Sequence, residues 1–331
     1  MKGYRIDTIT DKDLWNDFLF AHQDVSNFLL SWEWGDFNEK KGRQVYRLGI
    51  YDNELVGICQ VVKKKLFLNF NYLDIERGYL SSKDKQGVFN FLLSHIAENI
   101  KDKNTVFLRA SLMEDVLKDG FVKPKILTKL HPPHQSAILD ISQDEGYILS
   151  HMHPKMRYNI KKAIQKKVEV REIGFDDFYD LLLKTSRRQG IKIFPRDHYK
   201  NILSIKSRDL DVRLWGACIG SVVAAGIMNI YFGNCMFYLH GGMDYGYRKY
   251  FPSHLLHFEA IKEAHSRGYR FYDLWGVDIS GENKSWKGIT RFKMQFGDST
   301  TLKIVNYPLT LDLVYKKTIY LLASMAKFFK A

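Results

Sequence analysis

The stretch from Tyr238 to Gly276, YLHGGMDYGYRKYFPSHLLHFEAIKEAHSRGYRFYDLWG, limits the possible folds more than any other part of the chain. It reads as strand, loop, helix, strand. MFYLHGG has the aromatic and apolar composition of a strand, and DYGYRKYFP is a loop rich in Tyr, Gly and basic residues. Pro252 and Ser253 are helix-start signals. The helix they open repeats apolar residues at Leu256, Ala260 and Ala264, with Leu255, Phe258 and Ile261 widening the stripe. Gly268 stands where a left-handed residue ends a helix, and FYDLW then returns to the composition of a buried strand.

This layout recurs. In the first half VYRLGIY, a turn at Asp52 and Asn53, LVGICQVVKK and LFLNFNYLDI read as strands, followed by a helix from about Gln86 to Ile100 and the strand VFLRA. In the second half VRLWGACIGSVVAAGIMNIYF supplies two strands across a Gly-rich turn, CMFYLHGG a third, and then come the helix and FYDLW. Each half is β-turn-β-β-α-β, which predicts two copies of one domain type. The 331 residues, 45% of them hydrophobic, suffice for two cores. The predicted fold class is α/β (α+β), with mixed central sheets flanked by helices. The first domain is expected to span 1–150, completed by the C-terminal helix at about 303–331, and the second to span 151–302.

A formal net charge of +13 and a pI near 9.4 direct attention to polyanions: nucleic acid, phosphorylated metabolites or an acidic membrane surface. The most basic segment, MHPKMRYNIKKAIQKKVEVRE, lies between the halves. Its pattern is helical, with Met156, Ile160 and Ile164 on one side and Lys155, Lys161, Lys162, Lys166 and Lys167 elsewhere. It is either a solvated basic face or a track for phosphates, whose binding salt would weaken. Then FYDLLLKTSRRQGIKIFPRDHYKNIL gives a helix, an interrupted loop and a second helix start, where Arg196 and Tyr199 follow Pro195 in a good position for anion capture. SGENKSWKGITRFKMQFG is polar and Gly-punctuated, with Arg291, Phe292 and Lys293 at its centre. The tail LTLDLVYKKTIYLLASMAKFFKA reads as a helix that either packs on the first domain or contacts a membrane surface. The tryptophans of SWEWGDF either pack or line a ligand cleft.

Cys59, Cys218 and Cys235 are odd in number and lack CxxC spacing, which predicts buried thiols in a reducing compartment. Neither His151 and His153 nor His254 and His257 have a carboxylate or Cys at zinc-ligand spacing, so no metal is expected. MKGYRIDTITDKDLW has no apolar core of a signal peptide, and no uncharged run reaches membrane-spanning length. The expectation is a cytoplasmic protein, free or peripheral at the inner face of the cell membrane.

A loop opening a helix beside a central strand resembles the place where acyltransferases of the GNAT superfamily hold their acyl donor, since a helix N-terminus offers free N–H groups to an anion. Those that use acyl-CoA carry a Gly-rich turn there. This chain has Arg248-Lys249-Tyr250-Phe251-Pro252-Ser253, crowded by side chains, and Pro252 has no N–H to give, which argues against CoA. SWEWGDF, HPPHQSAILDIS leading into MHPKMRYNIKKAIQKKVEV, the Tyr238 stretch and KGITRFKMQFG together resemble the FemABX family of peptidyltransferases over nearly the whole length. The RYNI basic helix and the GITRFK-x-x-FG ending are the most specific, because generic GNAT enzymes have neither.

The resemblance implies two tandem GNAT-like domains, here without a coiled-coil arm. It also implies transfer of an amino acid from aminoacyl-tRNA to the stem-peptide amine of a peptidoglycan precursor, lipid II or UDP-MurNAc-pentapeptide, with no cofactor. By the same resemblance Lys293 stabilises the developing charge, with the Phe292 N–H as partner donor, and Arg196 grips the acceptor's diphosphate with Tyr199 nearby. The family spacing to that tyrosine is commonly one residue longer. Trp34, Lys41, Tyr238, His240, Arg157 and Arg248 complete the expected substrate-binding set. Two positions depart from the family pattern: Ser111 stands where many relatives have an acidic residue, and Asn38 where some have a phosphate-binding lysine, with Lys40 and Lys41 close behind.

Turning an activated ester into an amide demands only that a neutral amine be oriented and the tetrahedral oxyanion stabilised. No nucleophile–base constellation is visible, which fits direct attack. Two alternatives stay open. One is an N-acyltransferase on this scaffold that uses acyl-CoA or an acyl-carrier protein; the other is a catalytically idle protein that binds RNA or precursor. The RFK element speaks for activity, and Ser111 keeps the idle reading alive.

Overall fold

The computed structural model describes residues 3–112, 135–306 and 311–328. The chain divides into two compact units, Met1–His134 with Tyr307–Ala331, and Gln135–Asn306.

In the first unit β1 (Arg5–Thr8), α1 (Lys12–His22) and α2 (Trp32–Lys40) precede an antiparallel meander of β2 (Gln44–Asp52), β3 (Glu54–Lys65) and β4 (Asn71–Glu76). Asp11 and Ser31 start the two helices by accepting backbone N–H groups with their side-chain oxygens. Asn53, at φ 63, makes the tight turn between β2 and β3. β5 (Tyr79–Ser81) pairs with β3, and α3 (Lys85–His95) crosses over to β6 (Thr105–Ser111), which lies parallel to β4.

The second unit runs β7 (Gln135–Asp140), α4 (Glu145–His151), α5 (Pro154–Gln165), β8 (Glu169–Glu172), α6 (Phe175–Gln189), α7 (Arg196–Leu203), β9 (Leu210–Ile219), β10 (Val222–Phe232), β11 (Cys235–Met243), α8 (Pro252–Ser266), β12 (Phe271–Gly276), α9 (Lys287–Lys293) and β13 (Leu302–Asn306). The chain then returns to the first unit with β14 (Leu311–Val314), antiparallel to β6, and α10 (Lys317–Phe328).

The sheet orders are β1-β2-β3-β4-β6-β14 and β13-β7-β12-β11-β10-β9-β8. Both contain one parallel pair bridged by a helix, β4 with β6 and β11 with β12, beside an antiparallel meander. The repeated order read from the sequence is therefore a repeated topology. α8 begins at Pro252 and ends just before Gly268, whose φ is +84. Leu255, Leu256, Phe258, Ala260, Ile261 and Ala264 are all buried; each of the larger side chains contributes roughly 1.5–3 kcal/mol relative to exposure. All three cysteines are buried free thiols. No helix among the described residues is long and apolar enough to cross a membrane.

Four expectations change. β7 lies between β12 and β13, so residues 135–150, expected in the first domain, fall in the second unit, as does β13. LFLN does not begin a strand: β3 ends at Lys65, and Leu68 turns the chain in the left-handed region at φ 50. The tail opens with β14, because an alternating LDLV segment fills the free edge of β6. Ile164 is 56% exposed, and Ala163 takes the buried place beside Met156 and Ile160. At 3.6 residues per turn, position 164 has drifted about 80° from 156.

At Gly242 the backbone of α6 passes close to β11. An added Cβ would meet Leu181 O at 2.5 Å and Leu182 N at 2.8 Å, both backbone atoms that cannot swing aside. Gly242→Ala is expected to destabilise the second unit by about 2 kcal/mol, read as a lowered urea midpoint.

Candidate active site

Most of the second unit's candidates gather around the middle of β11, and a β-bulge there explains their arrangement. Asn229 and Met228, consecutive on β10, face Tyr238 and His240 on β11, leaving Leu239 as the extra residue. In a regular strand Tyr238 and His240 would share a face; the bulge sends them to opposite ones. Tyr238 meets His257 of α8, with ring centroids at 4.6 Å, whereas His240 meets Tyr199 of α7 at 5.0 Å.

On the α8 face stands Lys293, only 5% exposed. Its Nζ donates to Gly276 O at 2.8 Å and lies 5.4 Å from the centre of the Tyr238 ring. Burial pushes this ammonium down to about 7, against the opposing charge of Asp273. Around it, His257 is driven down to about 3 by burial, then by Lys293 and His254, so it is neutral; its Nδ1 and the Tyr272 hydroxyl are 2.7 Å apart. Burial pushes the Tyr238 phenol up to about 12, so it stays protonated. Phe292 packs against both His254 and His257 at 5.3 and 5.5 Å. It lies in the last turn of α9, where helical geometry directs its N–H to the preceding turn rather than outward. The buried cationic donor of this cluster is the Lys293 ammonium.

On the opposite face Arg196 opens α7 immediately after Pro195. Its guanidinium pairs with Asp176 and lies 5.0 and 5.2 Å from the ring centres of Phe175 and Tyr179. Tyr199 is buried, its hydroxyl accepting the Phe194 N–H at 3.2 Å. His240 is driven down to about 3 by burial and by His198.

The remaining candidates lie elsewhere. The Arg157 guanidinium donates to Ser150 O at 2.8 Å and Met152 O at 2.5 Å, where it closes the C-terminal end of α4. Arg248 is exposed, with its charge 4.5 Å from the centre of the Tyr245 ring. In the first unit Trp34 is mostly buried, stacked on Phe37 at 4.5 Å. Lys41 caps α2 and lies over the same Phe37; burial, then Arg43 and Lys64, hold its ammonium below the usual lysine range. Asn38 is occupied internally by Trp34 O and Arg43, and Ser111 is buried at the end of β6.

Sequence reasoning passed over His257 and Asp273 as parts of this cluster. Both were visible: His257 falls on the stripe with Ala260, Ile261 and Ala264, and Asp273 is a carboxylate in the middle of a buried apolar strand. A titratable group in either place asks for a reason.

Two units of this type in tandem are the architecture of tandem GNAT proteins. The crystal structure of FemX superposes with a TM-score of 0.79 at 16% identity, covering 97% of this chain and all of that one. A tandem GNAT protein from the clavulanic acid biosynthesis pathway gives 0.54 at 10% identity, over 94% of this chain and 98% of the other. The sequence model of the FemAB family matches residues 10–111, 124–212 and 219–327, and the chain belongs to that family. It is a transferase. Among its relatives is the lipid II:glycine glycyltransferase of Staphylococcus epidermidis, 19% identical over 94% of this chain and 93% of the relative.

Lys293 has a stability consequence with a definite sign. Between about 7 and 10.5, its ordinary value, the unfolded chain holds one more proton than the folded chain, so this group's contribution to stability rises with pH; below about 7 the full cost of the buried charge is present. Lys293→Met is expected to raise stability at pH 6–7 by on the order of 2 kcal/mol, after allowing for the orphaned Gly276 carbonyl. Chemical denaturation as a function of pH should show the gain shrinking towards pH 10.5.

Proposed function

We propose that this protein is an aminoacyltransferase that moves an amino acid from aminoacyl-tRNA to the stem-peptide amine of a peptidoglycan precursor, carried on lipid II or on a UDP-linked muramyl pentapeptide. The observation that carries the reading is a lysine buried beside Tyr238 and His257 in a member of the FemAB family. The name of the S. epidermidis relative supports the lipid II acceptor.

In this reading the amine attacks the ester carbonyl. A C–N bond forms, the ester C–O bond breaks, and the amine's proton ends on the ribose oxygen that leaves. Lys293, in its ammonium form, donates to the oxyanion of the tetrahedral intermediate, in surroundings dry enough to strengthen that contact. Arg196 holds the acceptor's diphosphate: its pairing with Asp176 is exposed and weak, and a bidentate diphosphate displaces it. Tyr199 fixes the α7 start that presents the arginine. Tyr238 and His240 lie in the middle of β11, on either side of its bulge, and Trp34 and Lys41 remain substrate-binding residues of the first unit in this reading. The protein works in the cytoplasm, with peripheral contact at the inner membrane face where lipid II is presented.

The start of α8 speaks against acyl-CoA as donor. Residues Tyr245–Tyr250 form a tight helical turn, Phe251 is left-handed at φ 56, and Pro252 lacks an N–H. Lys166 Nζ donates to Lys249 O at 2.8 Å, fastening this turn to α5.

The test offers the purified protein radiolabelled aminoacyl-tRNAs with lipid II or UDP-linked muramyl pentapeptide. Ribonuclease-sensitive transfer of label is expected, and the labelled amino acid names the donor. Binding of tRNA or precursor without transfer would establish the idle binding protein instead. In the same assay Lys293→Ala should lower kcat by roughly 10²–10³. Arg196→Ala should raise KM for the acceptor at least about tenfold with little change in kcat, as loss of uniform binding does.

A further inference from the structure

The last residues of β12 are irregular in a way the fold does not require. Asp273 pairs with Ile138 and Gly276 with Ser136, so Leu274 and Trp275 on β12 oppose Ala137 alone on β7. This is a second bulge. Trp275 is held in the left-handed region at φ 62, a conformation that a bulky side chain adopts only under constraint. The constraint is visible. Asp273 is 1% exposed, and its Oδ1 accepts the Trp275 N–H at 2.6 Å and the Ser136 hydroxyl. The residue after the strained tryptophan is Gly276, whose carbonyl accepts Lys293 Nζ. Among the described residues of the second unit, Asp273 is the one buried carboxylate and Lys293 the one buried lysine.

We propose that Asp273 is a positioning residue for Lys293: it clamps the β12 bulge so that the Gly276 carbonyl meets the ammonium, and it is the buried counter-charge to that ammonium. The inference rests on the transfer role given to Lys293 above.

The groups facing Lys293 leave this task to Asp273. From α8, His257 and His254 are pushed down by burial to about 3 and about 4, and are neutral at physiological pH. From β11, the Tyr238 phenol is pushed up to about 12 and is neutral too. Tyr272, beside Asp273 on β12, is raised well above the ordinary phenol value by burial. An ammonium surrounded by neutral groups in an apolar core loses its proton; a fixed carboxylate opposes that loss.

Asp273→Asn tests this, because an amide oxygen can still accept from Trp275 and Ser136 while the charge is gone. The Lys293 titration is followed by NMR of the chain carrying 13Cε-lysine, with the resonance assigned by its absence in Lys293→Met. The expected result is a folded variant whose Lys293 midpoint falls by at least about one pH unit. At pH 7 its kcat should drop about fivefold or more with both KM values unchanged. An unchanged midpoint in the folded variant overturns the proposal. If Asp273→Asn alone does not fold, the comparison is made between Trp275→Gly and the double variant, since glycine accepts the left-handed turn without a clamp. The titration is read whether or not the protein transfers aminoacyl groups. A shifted midpoint in a chain with no transferase activity therefore upholds Asp273's hold on Lys293 and removes only the function assigned to it.

Discussion

Keeping one amine out of water is the constraint on which the second unit's arrangement depends. Burial of an ammonium costs several kcal/mol unless partners replace its hydration. Lys293 has a carbonyl at 2.8 Å, an aromatic face at 5.4 Å and the field of a buried carboxylate. These bring its protonation close to neutrality rather than restoring an ordinary lysine. A core built for stability alone would place a methionine or leucine there. The unit accepts a weaker core and holds there a lysine whose ammonium burial pushes down to about 7.

Two extra residues in two strands put that donor in its place. Side chains on a strand alternate between faces, so a regular β11 would commit Tyr238 and His240 to the same helix layer. The bulge at Leu239 divides them: one goes to Lys293 and His257, the other to Tyr199 and the α7 start. β11 and β12 pair only from Cys235 to Phe237 with Phe271 to Asp273, and beyond that point both strands leave the ladder. Where that ladder ends, the Gly276 carbonyl of β12 accepts Lys293 Nζ from α9, and the Tyr238 ring of β11 lies 5.4 Å from the same ammonium.

Much of the fold was legible. Periods of two and of 3.6 are local, and so are the start at Pro252 and the stop at Gly268; the repeated β-β-β-α-β order followed from them. What misled was long-range. Residues 135–140 follow the first half in sequence, yet their ladder partners are β12 and β13, more than a hundred residues away. LDLV looked like the beginning of a helix because nothing local shows that β6 has a free edge. The RFK element points to Lys293, whereas nothing local to FYDLW shows that Asp273 lies near a buried lysine.

The sequence by itself determined the residue types and the spacing: a crowded, proline-opened helix start that disfavours CoA, a lysine after Phe292, an arginine after Pro195, and the doubled strand-helix-strand order. Only the tertiary structure decided that Lys293 is buried, that His257 and Tyr238 beside it are neutral, and that Arg157 serves the end of α4. Protonation and reach depend on how much water and which charges surround a group. Those surroundings come from strands and helices far apart in the chain, which no local pattern encodes.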